Sequence, residues 1–136
     1  MTPPVQLQGF TPHSPHKWLS FRSAPTHKRL LHALVPEMIA RWEPRLGVSV
    51  AGYFLQRMKT KWGSCNHAAG NIRLNTELVK KPKDLVEYVV VHEMLHLLEP
   101  THNERFVALL TRHWPQWQES RGELNALPLS AETWSE

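Results

Sequence analysis

The stretch Leu85-Val86-Glu87-Tyr88-Val89-Val90-Val91-His92-Glu93-Met94-Leu95-His96 decides the fold of this 136-residue chain. Apolar side chains cover most of the circumference that these residues would have as a helix, which predicts a buried helix. His92 and His96 are four residues apart and therefore share one face of it. Burying two imidazoles and the Glu93 carboxylate without partners would be costly, and a bound metal ion removes that cost.

The spacing His-Glu-x-x-His is typical of zinc-dependent hydrolases. The two imidazoles bind the ion, and the glutamate between them acts as a base toward a metal-bound water. We therefore expect His92 and His96 to be metal ligands and Glu93 to be catalytic, with one Zn²⁺ per chain. Other divalent metals remain open, because imidazole also binds Mn, Co and Ni. The alternative is a core helix whose histidines hydrogen-bond to nearby carbonyls.

A catalytic zinc ion usually takes three protein ligands, and His102 is the predicted third. Pro100 disfavours helical geometry at the residue before it, so the helix should end there. Thr101, with a glutamate three residues later, then resembles a capping box that begins a second helix. His102 would lie in the first turn of that helix and fold back toward the metal. Glu99 and His113 are the alternative third ligands.

Several blocks of the chain resemble the YgjP-like metallopeptidase domain family, which is related to the SprT and WLM zincins. The resemblance covers about residues 26 to 115. It implies a zincin-like fold and a divalent metal that is most commonly zinc. For a zinc-dependent hydrolase we expect a peptide or protein substrate by default. By position the resemblance implies His92, His96 and His102 as ligands and Glu93 as the general base. The blocks are Lys59-Thr60-Lys61-Trp62-Gly63-Ser64-Cys65, Asn71-Ile72-Arg73-Leu74-Asn75, Val89-Val90-Val91-His92-Glu93-Met94-Leu95-His96 and Asn103-Glu104-Arg105-Phe106.

Charge is unevenly distributed along the chain. Residues 1–83 hold 13 basic and 3 acidic residues, whereas the remainder holds 3 basic and 9 acidic residues. Arg57, Lys59 and Lys61 alternate, so on a strand they would project from one face, and Trp62 follows them. We expect these four residues to bind substrate, and basic residues beside an aromatic ring also suit nucleotides or nucleic acid. A solvated strand edge that discourages aggregation is the other interpretation.

Two further functions therefore remain open beside a metallopeptidase. The first is a metal-dependent nucleotide phosphoanhydride hydrolase, in which the basic row binds the phosphates. The second is a metal-stabilised nucleic-acid-binding module without catalysis, which would bind in a salt-sensitive way.

The predicted fold class is α+β and zincin-like. An N-terminal helix precedes a small antiparallel sheet, the helix with the His-Glu-x-x-His motif and further C-terminal helices. The chain divides into an irregular leader (1–24), one hydrolase domain (25–127) and a polar tail (128–136). The predicted elements are a helix from Pro25 to near Gly47, a strand over 48–61, a turn over 62–71, a strand over 72–75 and a motif helix with Asp84 as its N-cap.

Cysteine content and hydropathy suggest a compartment. Cys65 is the single cysteine, so no intrachain disulfide forms, and no apolar run of membrane-spanning length occurs. The first residues do not resemble a secretory signal. We therefore expect a cytoplasmic protein with no membrane contact. Cys65 is expected to be a buried, inert thiol, with zinc ligation as the alternative.

Overall fold

The computed structural model describes residues 24–126, which form four α-helices, a short 3₁₀ helix and three strands. This α+β architecture confirms the predicted fold class. Nearly all of the predicted leader and the whole of the predicted tail lie outside the described residues. The elements are α1 (Ala24–Leu46), β1 (Gly52–Gln56), β2 (Gly63–Asn66), β3 (Asn71–Asn75), the 3₁₀ helix (Thr76–Lys80), α2 (Lys83–Leu95), α3 (Glu104–His113) and α4 (Trp117–Ala126).

Helix α1 has one buried and one exposed side. Pro36 and Pro44 lie on its exposed side, where water can satisfy the carbonyls that a proline leaves without a partner. Gly47, at φ +71°, ends the helix in the left-handed conformation that glycine adopts readily. None of the described helices, α1 included, has both the length and the apolar character that crossing a membrane requires. The buried stripe of α1 consists of Leu31, Val35, Met38, Ile39, Trp42 and Leu46.

Helix α2 contains the His-Glu-x-x-His motif and lies at the centre of the fold. It packs against α1, α3, α4, the 3₁₀ helix and two strands, β2 and β3. All but three of its thirteen residues are buried, which confirms the predicted buried helix. Its N-cap is Pro82, so the prediction of Asp84 as the N-cap is wrong. Asp84 lies in the first turn instead, where a negative charge is favourable to the helix dipole.

The sheet is mixed, with strand order β1-β3-β2. Strands β2 and β3 are antiparallel, and Gly70 at φ +78° lies in the turn between them. The prediction of a turn over 62–71 is wrong for residues 63–66, which form β2. Strand β1 is parallel to β3, with Tyr53 opposite Ile72, so the prediction of a wholly antiparallel sheet is wrong for this pair. The reason is topological. Residues 57–62 carry the chain across the end of β3, so β3 lies between β1 and β2.

Residues 57–62 form a crossover arch that Asn75 holds in place. The fully buried side chain of Asn75 donates from Nδ2 to the carbonyls of Met58 at 2.8 Å and Lys61 at 2.7 Å. Its backbone N–H donates to the carbonyl of Trp62 at 3.0 Å. The carbonyls of Met58 and Lys61 face the Asn75 side chain and do not pair with a neighbouring strand. The predicted strand over 48–61 is therefore shorter and ends at Gln56.

Candidate metal centre

Three imidazoles converge where α2 ends. His92 is buried on α2, and His96 is the buried C-cap residue that follows it. His102 is an exposed residue of the connection to α3. One ring nitrogen from each can be chosen so that all three atoms lie within 4.8 Å of one another. The Nε2 atoms of His96 and His102 are 2.9 Å apart. The structure thus brings together the three residues predicted as ligands, with the cluster open to solvent on the side of His102.

A bend between α2 and α3 returns His102 to the cluster. Helix α2 ends at Leu95, and α3 begins at Glu104. Asn103 is the N-cap of α3, because its Oδ1 accepts a 3.0 Å hydrogen bond from the backbone N–H of Phe106. The prediction of Thr101 as the N-cap is therefore wrong by two residues. Consequently His102 precedes the cap and does not lie in the first helical turn.

Glu99 orients His96 through its backbone carbonyl. The Nδ1 atom of His96 lies 3.0 Å from that oxygen and must carry the proton, because a carbonyl only accepts. The Nε2 lone pair of His96 is then available on the side facing His102. The Glu99 carboxylate accepts from Nδ2 of Asn103 at 3.0 Å and lies 3.5 Å from Nε of Arg105. Glu99 is absent from the group of residues that can share one metal ion, so the structure favours His102 as the third ligand.

His113 and Cys65, the other residues considered as alternative ligands, also lie outside the cluster. His113 is the last residue of α3, and burial together with the charge of Arg112 lowers its pKa. Cys65, on β2, is half-buried. Burial and the negative charge of Glu93 raise the pKa of the Cys65 thiol to about 11, so this thiol stays protonated at neutral pH.

Glu93 is only 2% exposed and lies beside the histidine face of α2. Its side chain packs against Gly63 of β2. Cys65 lies two residues after Gly63 on β2, and the negative charge of Glu93 raises its pKa. This effect is consistent with a carboxylate that faces the strand. The predicted base is therefore held between α2 and the sheet, next to the imidazoles.

Phe106 supports all three imidazoles, a role that the sequence reasoning missed. This fully buried ring stacks on His96 with centroids 4.3 Å apart and planes 11° apart. Its centroid lies 4.9 Å from that of His92 and 5.1 Å from that of His102. Phe106 therefore restricts how the rings can turn. Its place in Asn103-Glu104-Arg105-Phe106, directly after the third histidine, was the available signal.

The four predicted substrate-binding residues lie on the crossover arch and not on a strand. Arg57, Lys59 and Lys61 are exposed. Trp62 is only 3% exposed, and Nζ of Lys81 lies 5.1 Å from the centre of its ring. A buried ring has no free face on which a base can stack. The predicted nucleotide and nucleic-acid contacts are therefore without support.

Comparisons with known proteins identify a family and two similar structures. Residues 7–127 match the family model of the YgjP-like metallopeptidase domain. A search of curated proteins finds no match. The crystal structure of the metallopeptidase zymogen of Pyrococcus abyssi abylysin is similar, with a TM-score of 0.62 and 18% identity over 68% of this chain and 92% of that chain. The metallopeptidase zymogen of Methanocaldococcus jannaschii jannalysin gives a TM-score of 0.55 and 20% identity over 65% and 91% of the two chains.

These structural likenesses show that this chain shares its fold with the two metallopeptidase zymogens. The family match extends over most of the chain and confirms the resemblance seen in the sequence. The chain therefore belongs to the YgjP-like metallopeptidase domain family, a family of metal-dependent hydrolases.

Proposed function

We propose that this chain is a zinc-dependent metallopeptidase in which His92, His96 and His102 hold the ion and Glu93 is the general base. The observation that carries the proposal is the gathering of three imidazole donors within 4.8 Å, in a chain of a metallopeptidase family. Three protein ligands with a further position open is the arrangement of catalytic zinc, whereas structural zinc has four protein ligands.

The donor set fits zinc chemically. Zinc accepts neutral imidazole nitrogens, and the Glu99 carbonyl holds the proton of His96 on Nδ1, which leaves Nε2 for the ion. The exposed position of His102 gives a substrate access to the same point. Zinc is the metal proposed because a three-histidine site with an open position matches its preferred tetrahedral geometry.

When bound, the ion lowers the pKa of a coordinated water to about 7 and polarises the scissile carbonyl. The carboxylate of Glu93 accepts a proton from the attacking water and passes it to the leaving amine. Because Glu93 is buried, little water competes for its oxygens. Phe106 keeps the three rings in place during these steps through its contacts with all of them.

An extended peptide can reach this site along β2. This strand is at the edge of the sheet, and its first residue, Gly63, contacts Glu93. A free strand edge can bind an extended segment through main-chain hydrogen bonds. The exposed cations Arg57, Lys59 and Lys61 lie on the arch that leads into β2. We therefore propose that peptides with acidic residues beside the scissile bond are preferred.

The substitution Glu93→Gln tests the proposed function. Zinc-loaded wild-type protein should hydrolyse casein or a peptide library, whereas Glu93→Gln should bind zinc equally and lose turnover. Glu104→Gln, at an exposed position in the first turn of α3, is the matched control and should retain activity. Wild-type activity in Glu93→Gln would rule out this base. Nucleoside triphosphates assayed in parallel should not be hydrolysed, and faster turnover of them than of peptides would overturn the peptidase assignment.

A further inference from the structure

Gly63 lies so close to α2 that any side chain at its position would have to displace its neighbours. A Cβ atom built on Gly63 would be 2.9 Å from both Cγ and Oε2 of Glu93, and 3.0 Å from Cγ1 of Val89. Carbon atoms pack favourably at about 3.5 to 4.0 Å, so even a methyl group would be compressed on two sides. Val89 and Glu93 are one helical turn apart, so this point of β2 is seated on a single face of α2.

The backbone conformation of Gly63 does not require glycine. Among the described glycines, Gly47 and Gly70 have positive φ angles, and Gly63 does not. Gly63 is paired with Leu74 in a regular antiparallel ladder, a conformation that alanine adopts without strain. What glycine provides at this position is space, and the Glu93 side chain occupies that space.

We infer that Gly63 is a positioning residue for Glu93, an inference that rests on the proposed role of Glu93 as the base. The bare backbone of β2 forms a wall against Cγ and Oε2 of Glu93, and the buried helix α2 holds the carboxylate from the other side. A glutamate in water samples many rotamers, whereas one confined in this way presents its oxygens at a fixed place. The sheet thus determines where the proton acceptor lies relative to the imidazoles.

The substitution Gly63→Ala should displace Glu93 by about 0.5 to 1 Å, the distance needed to restore ordinary contact. A misplacement of this size should lower kcat per bound zinc about 10- to 100-fold. KM and zinc affinity should stay within about threefold of the wild type, because the histidines are not displaced. Gly52→Ala is the control, since its Cβ would meet only Oδ1 of Asn71, at 3.3 Å. Unchanged kcat in Gly63→Ala would overturn the inference.

A cycle of melting temperatures tests the same contact without any assay of activity. With Glu93 present, Gly63→Ala should lower Tm by about 5 °C. The fall in Tm caused by Gly63→Ala should be clearly smaller in the Glu93→Ala background. It should persist in the Glu93→Gln background, because glutamine has the size of glutamate without its charge. Equal losses in the Glu93 and Ala backgrounds would overturn the inference.

The two hypotheses fail separately. A variant Gly63→Ala that folds only together with Glu93→Ala would support the contact, and one that folds in neither background would contradict it. If wild-type protein hydrolysed no peptide, the proposed function would fail, and the melting cycle would still decide whether Gly63 positions Glu93.

Discussion

Asn103 donates a 3.0 Å hydrogen bond from Nδ2 to Oε2 of Glu99, across the bend that places His102 beside His96. The same side chain caps α3, and the backbone carbonyl of Glu99 accepts from His96. Glu99 and Asn103 therefore connect His96 to the start of α3, the helix that follows His102. The bend is held by hydrogen bonds of its own residues, which should make part of the site form before metal binds.

Replacing Asn103 by Ala should weaken both the fold and the metal site. Loss of the cap should lower the free energy of unfolding by about 1 kcal/mol. Release of the bend should lower zinc affinity about tenfold, as for other residues that orient a ligand. Denaturant unfolding of the metal-free protein measures the loss of stability. Competition with a chromophoric chelator measures the loss of zinc affinity. Thr101→Ala, an exposed position two residues earlier, should change neither, and equal effects of the two variants would contradict the assignment of the cap.

Replacing His102 by Ala tests whether this residue or Glu99 is the third ligand. His102→Ala should lower zinc affinity by more than the roughly 10- to 100-fold typical of residues that only orient a ligand, and Glu99→Gln should have a smaller effect. Zinc should raise the Tm of the wild type and not that of His102→Ala. Elemental analysis after dialysis gives the stoichiometry. His67→Ala, an exposed control between β2 and β3, should bind one zinc. If the variant His102→Ala still bound one zinc ion per chain, His102 would not be a ligand.

The central part of the site could be predicted from sequence because it depends on local geometry. The four-residue spacing of His92 and His96 fixes their common face, and the apolar residues around them indicate a buried helix. Pro100 correctly indicates that the helix must end before His102. The cap was misplaced because Thr101 and Asn103 both have capping side chains. In the structure Asn103 is the cap, and its amide also donates to Glu99.

The remaining features depend on contacts between residues that are far apart in sequence. The parallel pairing of β1 with β3 follows from the arch that Asn75 holds, and no local pattern reveals it. Trp62 follows a row of cations and resembles a surface aromatic residue, yet the arch places its ring in the core. Gly63 offered a weak signal, since glycine inside a strand often marks the close approach of another group. The identity of that group, Glu93, required the structure.

The reactivity of Cys65 should report the charge of Glu93. A thiol reacts as the thiolate, so a pKa of about 11 in place of 9.0 makes Cys65 about 100-fold less reactive near pH 8. Alkylation followed against pH should show a midpoint near 11 in native protein and near 9 in denaturant. Glu93→Gln should lower the midpoint of the native protein, because it removes the negative charge of Glu93, which is the smaller of the two causes of the raised pKa. Burial, the larger cause, should keep this midpoint above 9.0. A native midpoint near 9 would contradict this environment.

Asn75→Asp should destabilise the arch severely. The carboxylate would face the carbonyls of Met58 and Lys61, which cannot donate, in a fully buried position. We expect a loss of about 3 kcal/mol or more in the free energy of unfolding at pH 7. Asn66→Asp is the control, because Asn66 is exposed and its side-chain oxygen accepts from the N–H of Ala69, a role that Asp retains. Equal losses in the two variants would show that Asn75 does not hold the arch.

Removing the three cations of the arch should change substrate preference without changing the fold. In the triple variant Arg57→Ala, Lys59→Ala, Lys61→Ala, KM for a peptide with acidic residues beside the scissile bond should rise about tenfold at low salt. A neutral peptide of the same length should be unaffected, and added salt should reduce the difference, because exposed charges are screened. The double variant Lys28→Ala, Arg29→Ala removes exposed cations from α1 and serves as the control. Equal changes in KM for both peptides would show that the arch does not select acidic substrates.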